Sequence, residues 1–273
     1  MTDVGGVDTV RAVQEALPPA GRDVFTLVTH LGDPVLLGLL VVAFYYARRD
    51  ETGEFVFGAA LGAVALTTGL KGAIAHPRPP TELAVDAVAE SGYALPSGHA
   101  LGSTVVLFAL AEVLGFGNRR ARYTAAASVV GIVAFSRVAI GVHFPVDVVA
   151  GVAVGVAYLI AVAYDGYDPE IAFSAALTVA VVGVALGSDY RLPVGVGLPL
   201  GGYVAYHALA DRYDFGDLLR DENAVLVALL PAVAVGMVLP AGTRILLETS
   251  LYATATAVVF YVPHTVETVR LYS

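Results

Sequence analysis

Cysteine is absent from this chain of 273 residues, which excludes disulfides, thiolate metal sites and cysteine nucleophiles. Charged residues are also scarce, because they make up only 14% of the chain, whereas hydrophobic residues make up 57%. Ordinary soluble domains have a larger share of charged residues and a smaller share of hydrophobic residues. The two proportions together predict an integral membrane protein.

Lysine is nearly absent as well, since the chain has fourteen arginines but a single lysine, Lys71, and a net charge of −9. Either a high-salt cytoplasm or a GC-rich genome explains this acidic, lysine-poor usage, and both explanations stay open. Neither indicates a nucleic-acid partner. From Met1 to about Gly21 there is no basic flank followed by an apolar core and a cleavage site, so we expect no cleavable signal peptide.

Apolar runs long enough to cross a bilayer recur along the chain. We predict nine spans, at residues 31–46, 54–75, 98–116, 123–140, 145–164, 169–187, 192–210, 223–239 and 245–262. Before them, the stretch VDTVRAVQEAL has helical periodicity, so it is either a helix in the interface plane or a frayed terminus. The pair Gly151 and Gly155 is suited to close helix packing, although glycine is abundant throughout.

Basic residues in short loops favour the cytoplasm, and they predict the orientation of the spans. The turns after the first and third spans carry five arginines, at positions 48, 49, 119, 120 and 122. If the spans alternate, both turns lie on one side of the membrane. We therefore expect that side to be cytoplasmic and the opposite side to be extracytoplasmic.

Three polar clusters interrupt the apolar pattern, and alternating spans place all three at the extracytoplasmic side. KGAIAHPRPP ends the second span, YALPSGHALGS opens the third, and SRVAIGVHFPVD joins the fourth to the fifth. Burying ionisable residues at the ends of spans costs free energy, so residues of this kind usually mark a functional site. The clusters therefore predict one shared polar pocket.

The cations of these clusters indicate a phosphate ligand. Arg78 and Arg137 present guanidinium groups that match phosphate oxygens, and Lys71 adds a third positive charge. Ser97 and Gly98 offer a hydroxyl and backbone N–H groups at a helix start, where the helix dipole favours an anion.

Two histidines suit covalent chemistry on that phosphate. His143 and Asp147 are four residues apart at a helix start marked by Pro145, so the carboxylate can orient the imidazole for attack on phosphorus. His99 would then protonate the leaving oxygen and later activate water. Taken singly, each residue has an ordinary structural explanation, such as a helix cap or an interfacial anchor, whereas the cluster as a whole favours catalysis.

The three clusters resemble the signature of the type 2 phosphatidic acid phosphatase superfamily, which includes membrane lipid phosphatases and the soluble vanadium haloperoxidases. The first motif is met by Lys71, Arg78 and Pro79, and the second by Pro96 to His99. The third motif is met by Ser136, Arg137, His143 and Asp147.

This resemblance implies a phosphohistidine on His143 and His99 as acid and base, alongside the pairing of Asp147 with His143 that the spacing predicts. It also implies phosphate binding by five residues and hydrolysis without a metal or other cofactor; the five are Lys71, Arg78, Ser97, Gly98 and Arg137. The expected fold is all-α, a polytopic transmembrane bundle with a core of five to six helices and about four further C-terminal spans. The expected division is an interfacial segment at 1–24, the membrane phosphatase core at 25–165 and a transmembrane extension at 166–273.

We therefore expect a multi-pass membrane enzyme that hydrolyses a lipid phosphate or a polyprenyl diphosphate, with its site facing the extracytoplasmic side. Phosphatidic acid and phosphatidylglycerol phosphate agree with the sequence as well as a polyprenyl diphosphate does. The alternatives are a lipid phosphotransferase with an alcohol acceptor, a vanadate-dependent haloperoxidase, and a non-catalytic phospholipid-binding transporter or scaffold. The sequence leaves the lipid, the oligomeric state and the role of the last four spans open.

Overall fold

The computed structural model describes residues 6–18, 20–85, 91–187, 190–210 and 241–271. These residues form ten α-helices and two short 3-10 turns, at Thr29–Gly32 and Thr81–Leu83, and no strand occurs among them. The helices are α1 Val7–Ala16, α2 Gly21–Val28, α3 Pro34–Arg48, α4 Glu51–Ile74, α5 Gly98–Val113, α6 Arg119–Ala139, α7 Pro145–Val162, α8 Pro169–Ala185, α9 Leu192–Ala210 and α10 Ala241–Leu271. The predicted all-α class is confirmed.

Local capping explains where several of these helices begin. A side-chain oxygen just before the helix accepts a backbone N–H of its first turn, which satisfies a donor that has no partner inside the helix. Proline in the first turn adds to this at α3, α7 and α8, because its fixed φ suits a helix start. The capping residues are Asp33 of α3, Asp50 of α4, Ser97 of α5, Asn118 of α6 and Asp168 of α8.

The predicted spans overlap helices wherever the structure describes them, but the first, at 31–46, begins in the 3-10 turn before α3 and is interrupted at Asp33. The predicted span at 223–239 lies outside the described residues. Within the described part, three helical segments are long and apolar enough to cross a bilayer alone: α4, α7 and Arg244–Val262 of α10. Gly21–Gly32 and Pro34–Arg48, bent by 40° at their junction, form a fourth if they are one span. α5 and α8 are apolar but shorter, with 16 and 17 residues. The chain is a helical membrane protein.

Helix α4 lies at the centre of the bundle, where it packs against α3, α5, α8 and α9. α5 packs against α6 and α7, and α9 packs along α10. A buried aromatic cluster of Tyr45, Phe57, Phe173 and Phe260 connects α3, α4, α8 and α10. The boundaries at 24–25 and 165–166 stay a prediction, although helices from both sides of the second boundary share this cluster.

Helix α1 closes one end of the bundle. Residues 7–16 are helical, so the frayed-terminus alternative is wrong for them. The Gln14 side-chain amide is buried and donates to the Leu83 carbonyl at 2.9 Å and the Ala139 carbonyl at 3.2 Å. These bonds fix α1 against the segment that follows α4 and against the end of α6.

Candidate active site

The structure brings the three polar clusters together at one end of the bundle. Lys71 lies in the last turn of α4, Ser97 caps α5, and Arg137 lies in the last turn of α6. The backbone N–H of Ser97 donates to the Asp147 carbonyl at 2.9 Å, which ties the start of α5 to the first turn of α7. Residues that are distant in sequence therefore lie together at this end of the bundle.

A tight turn between α6 and α7 carries His143. Gly141 has φ +79, and a Cβ there would overlap the Leu83 carbonyl, so the turn requires glycine. The N–H of Val142 donates to the Arg137 carbonyl at 3.2 Å, as does that of His143 at 3.3 Å. These two bonds attach the turn to the last turn of α6.

Asp147 orients His143 from the first turn of α7. One carboxylate oxygen, Oδ2, lies 3.3 Å from His143 Nδ1 and accepts the N–H of Phe144 at 2.8 Å. Both side chains are buried, with exposed fractions of 0% for Asp147 and 1% for His143. These contacts with the imidazole and a backbone N–H offset the free energy that it costs to bury the carboxylate.

The other imidazole nitrogen faces the predicted phosphate site. Nε2 of His143 lies 3.2 Å from Nη1 of Arg78, whose guanidinium can only donate hydrogen bonds. Nε2 is therefore the acceptor with a lone pair, and the proton of a neutral imidazole belongs on Nδ1, facing Asp147. This tautomer leaves Nε2 able to act as a nucleophile.

The cations are held by neighbouring oxygens. Arg78 Nη1 also donates to the Val142 carbonyl at 2.9 Å. Arg137, only 1% exposed, donates from Nη1 to the Thr29 hydroxyl at 2.7 Å. The ammonium group of Lys71, 4% exposed, donates to the Tyr93 carbonyl at 2.6 Å. All three positive charges thus occupy defined positions around the site.

Burial and these cations lower the pKa of the His143 imidazole. Burial lowers the pKa of His143 well below its usual 6.5, and the charges of Arg78, Arg137, Lys71 and His99 lower it further. Both effects disfavour the positively charged form of the imidazole. The imidazole therefore stays neutral at neutral pH.

The start of α5 supplies the other predicted residues. Ser97 caps α5, and its hydroxyl lies 3.5 Å from the backbone nitrogen of Ala100. Gly98 and His99 therefore lie in the first turn of α5. His99 is half-buried, and a positive charge on its imidazole lowers the pKa of His143. A Cβ at Gly32 would lie 3.3 Å from the His99 Cβ, so the 3-10 turn that follows α2 packs beside His99.

His76 is a site neighbour that belongs to no sequence motif. Its Nδ1 lies 3.3 Å from Oδ1 of Asp147, on the side of the carboxylate that His143 does not use. Its ring also contacts Phe144, with ring centroids 5.9 Å apart. Asp147 therefore lies between two histidines. The only signal in the sequence was the position of His76 within the first polar cluster.

Among the described residues, no group of three or more histidine, aspartate and glutamate side chains has an arrangement that could hold a metal ion. The charges around His143 are the carboxylate of Asp147 on the Nδ1 side and the cations Arg78, Arg137 and Lys71.

Comparisons with known proteins find one matching family, one similar protein and one similar solved structure. The sequence model of the PAP2 superfamily matches residues 53–169, a range that includes all the motif positions. Phosphatidylglycerophosphatase B of Bacillus subtilis (strain 168) is 29% identical over 185 residues, which are 60% of this chain and 87% of that protein. The crystal structure of a transmembrane PAP2-type phosphatidylglycerolphosphate phosphatase from Bacillus subtilis is 27% identical, with a TM-score of 0.47, and the match covers 57% of this chain and 81% of that one.

Proposed function

Because residues 53–169 of this membrane protein belong to the PAP2 superfamily, we propose that the chain is a lipid phosphatase with a phosphohistidine intermediate on His143. One observation carries the proposal. The Nε2 atom of a buried, neutral imidazole lies 3.2 Å from Arg78, while its Nδ1 faces the carboxylate of Asp147. This arrangement couples a nucleophile to a group that binds phosphate oxygens.

The phosphate group of the substrate binds among Lys71, Arg78 and Arg137. When it enters, Arg78 turns its donors from Nε2 of His143 towards a phosphate oxygen, which frees the lone pair of Nε2. The N–H groups at the start of α5, after Ser97, add donors at the positive end of a helix dipole. The three cations stabilise the charge of the transferring phosphoryl group without a metal ion.

Reaction then proceeds in two steps. Nε2 of His143 forms a bond to phosphorus while the bond to the lipid oxygen breaks, and His99 gives its proton to that oxygen. The positive charge that develops on the imidazole is stabilised by Asp147. In the second step His99 takes a proton from water, the water oxygen attacks phosphorus, and inorganic phosphate leaves Nε2.

The location of the site favours a lipid substrate. Its residues lie at the ends of α4 and α6 and at the starts of α5 and α7, so a headgroup can bind there while its tail stays in the bilayer. Phosphatidylglycerol phosphate is the first candidate because the relative is a phosphatidylglycerophosphatase. Polyprenyl diphosphate and phosphatidic acid present a terminal phosphate of the same chemistry.

A turnover assay with purified protein in detergent tests the proposal. Phosphate release is measured with EDTA present, separately for phosphatidylglycerol phosphate, phosphatidic acid and polyprenyl diphosphate. We expect release from at least one lipid, its loss in His143→Ala, and its retention in His30→Ala, an exposed histidine near the same end of the bundle. If no lipid releases phosphate, or EDTA abolishes the release, the proposal is wrong.

A further inference from the structure

We propose that Tyr190 is a positioning residue for Lys71. Tyr190 lies just before α9, outside the residues that match the superfamily, so this role belongs to the C-terminal part of the chain. The inference rests on the proposed function only in taking Lys71 as a phosphate-binding residue.

Tyr190 contacts both partners of a hydrogen bond that Lys71 donates. The ammonium nitrogen of Lys71 lies 5.9 Å from the centroid of the Tyr190 ring, within the range of a cation–π interaction. The rings of Tyr190 and Tyr93 have centroids 5.5 Å apart and are tilted by 50°. The Tyr93 carbonyl is the acceptor for Lys71 at 2.6 Å. Tyr190 therefore packs against the donor side chain and against the residue that supplies the acceptor.

The backbone next to Tyr93 is shaped to receive this ring. Gly92 has φ +86, and a Cβ at that position would lie 2.5 Å from the Tyr190 ring. A larger residue at 92 would push the ring away as well as strain the backbone. The segment before α5 thus fits closely against a side chain from the beginning of α9.

Tyr190 is itself held in place by the elements around it. The Arg191 guanidinium lies 5.6 Å from the ring centroid, and the Arg191 carbonyl accepts the N–H groups of Val194 and Gly195 at 3.0 Å each. A Cβ at Gly195 would lie 2.9 Å from the Cβ of Thr68, which precedes Lys71 by about one turn of α4. The first turn of α9 is therefore docked on the helix that carries Lys71.

The chemistry of lysine explains why such support matters. A lysine ammonium is a point charge on a flexible four-carbon stem, so it loses more freedom than the planar guanidinium when it is fixed for binding. An aromatic face beside the nitrogen restricts that motion and keeps the charge directed at the site. We therefore expect the ring of Tyr190, rather than its hydroxyl group, to strengthen the binding of a phosphate-like anion.

Vanadate, which mimics phosphate, is the probe for this role. Its dissociation constant is measured by calorimetry for the full chain in detergent, in the wild type and in Tyr190→Leu, Tyr190→Phe and the control Tyr252→Ala. Tyr252 lies on α10 and is 39% exposed. We expect Tyr190→Leu to weaken binding by about three- to tenfold, the range of one cation–π contact, and the other two variants to stay within about twofold of the wild type.

Two results would overturn the inference: Tyr190→Leu binding vanadate as tightly as the wild type, or Tyr190→Phe losing as much affinity as Tyr190→Leu. Tyr190→Met provides the same comparison if the leucine variant does not fold. A wild type that binds vanadate but releases no phosphate from lipids contradicts the proposed function and leaves the role of Tyr190 intact. A wild type that binds no vanadate contradicts both.

Discussion

At the scale of the residue, the surroundings of His143 determine its chemistry. The imidazole is buried, four cationic or titratable neighbours act on it, and its two nitrogens face groups of opposite charge. The carboxylate of Asp147 lies on one side and the guanidinium of Arg78 on the other. The neutral form with a lone pair on Nε2 follows from these contacts together.

The lowered pKa of His143 predicts how activity depends on pH. Burial and positive charge disfavour the imidazolium, so its pKa falls below 6.5 and the neutral nucleophile persists into more acidic solution. We expect the acid limb of kcat/KM, which reports the free enzyme, to lie below pH 6.5. The measurement is a profile of phosphate release from pH 4.5 to 8, roughly the span over which an ordinary histidine titrates. Activity must recover when samples return to neutral pH, and a reversible acid limb above 6.5 would contradict the assignment.

The motif residues could be predicted from the sequence because their side chains have distinctive chemistry at fixed spacing. Their partners could not be predicted in the same way. Lys71 and Arg78 bind the carbonyls of Tyr93 and Val142, and every residue has a carbonyl, so residue type carries no signal. Thr29 precedes its partner Arg137 by 108 residues and belongs to no motif.

At the scale of the element, the contact between α5 and α7 aligns the two halves of the site. Gly151 on α7 faces the start of α5, where a Cβ would lie 2.7 Å from the Ser97 carbonyl and 3.1 Å from the Ala100 Cβ. Gly155, one turn later, faces Thr104, where an added Cβ would lie 3.0 Å from the Thr104 Cβ. The close packing that this glycine pair suggested in the sequence is therefore present.

Gly151→Ala is predicted to impair catalysis by displacing α5 from α7. The new methyl group meets backbone at Ser97, so the helix that carries His99 must shift relative to the one that carries Asp147. A small displacement of the reacting groups lowers the reaction rate strongly, and we expect kcat/KM to fall by about ten- to a hundredfold. Steady-state phosphate release measures this change.

Gly131→Ala on α6 is the matched control, because a Cβ there meets nothing within 4 Å. It should keep wild-type kcat/KM, since it adds the same methyl group to a helix without a clash. Equal activity in the two variants would show that the contact between α5 and α7 does not set the geometry of the site.

At the scale of the whole molecule, the C-terminal helices are part of the packed bundle. Phe260 of α10 is fully buried, stacks on Tyr45 at 4.9 Å and contacts Phe57 and Phe173 at 5.5 and 5.3 Å. The Tyr45 hydroxyl donates to the Phe260 carbonyl at 2.6 Å. Hydropathy predicted these helices, whereas their partners depend on side-chain shape and could not be predicted from it.

Phe260→Ala is predicted to destabilise the whole protein. Truncating a buried phenylalanine leaves a cavity and typically costs about 3–5 kcal/mol. We expect a lower thermal midpoint in detergent and near-normal activity well below that midpoint, because the cluster lies away from His143. Tyr252→Ala, on the same helix but 39% exposed, should change the midpoint little. An unchanged midpoint for Phe260→Ala would mean that α10 contributes nothing to the stability of the core.

The absence of cysteine makes the orientation of the molecule directly testable. Glu82 is exposed near the end of the bundle that carries the site, and Ala121 is exposed in the first turn of α6, next to the arginine-rich turn. If the site is extracytoplasmic, an impermeant maleimide added to intact cells will label Glu82→Cys, and Ala121→Cys only after lysis. The reverse pattern would place the site in the cytoplasm.

The covalent intermediate is the most direct test of the central claim. In His99→Ala, p-nitrophenyl phosphate provides a leaving group that needs no proton, so attack by His143 can proceed while hydrolysis lacks its base. Rapid quenching in alkali followed by mass spectrometry should find phosphate on His143, labile to acid and absent when His143→Ala is added to the His99→Ala background. Phosphate on another residue, or steady turnover by His143→Ala alone, would contradict the account.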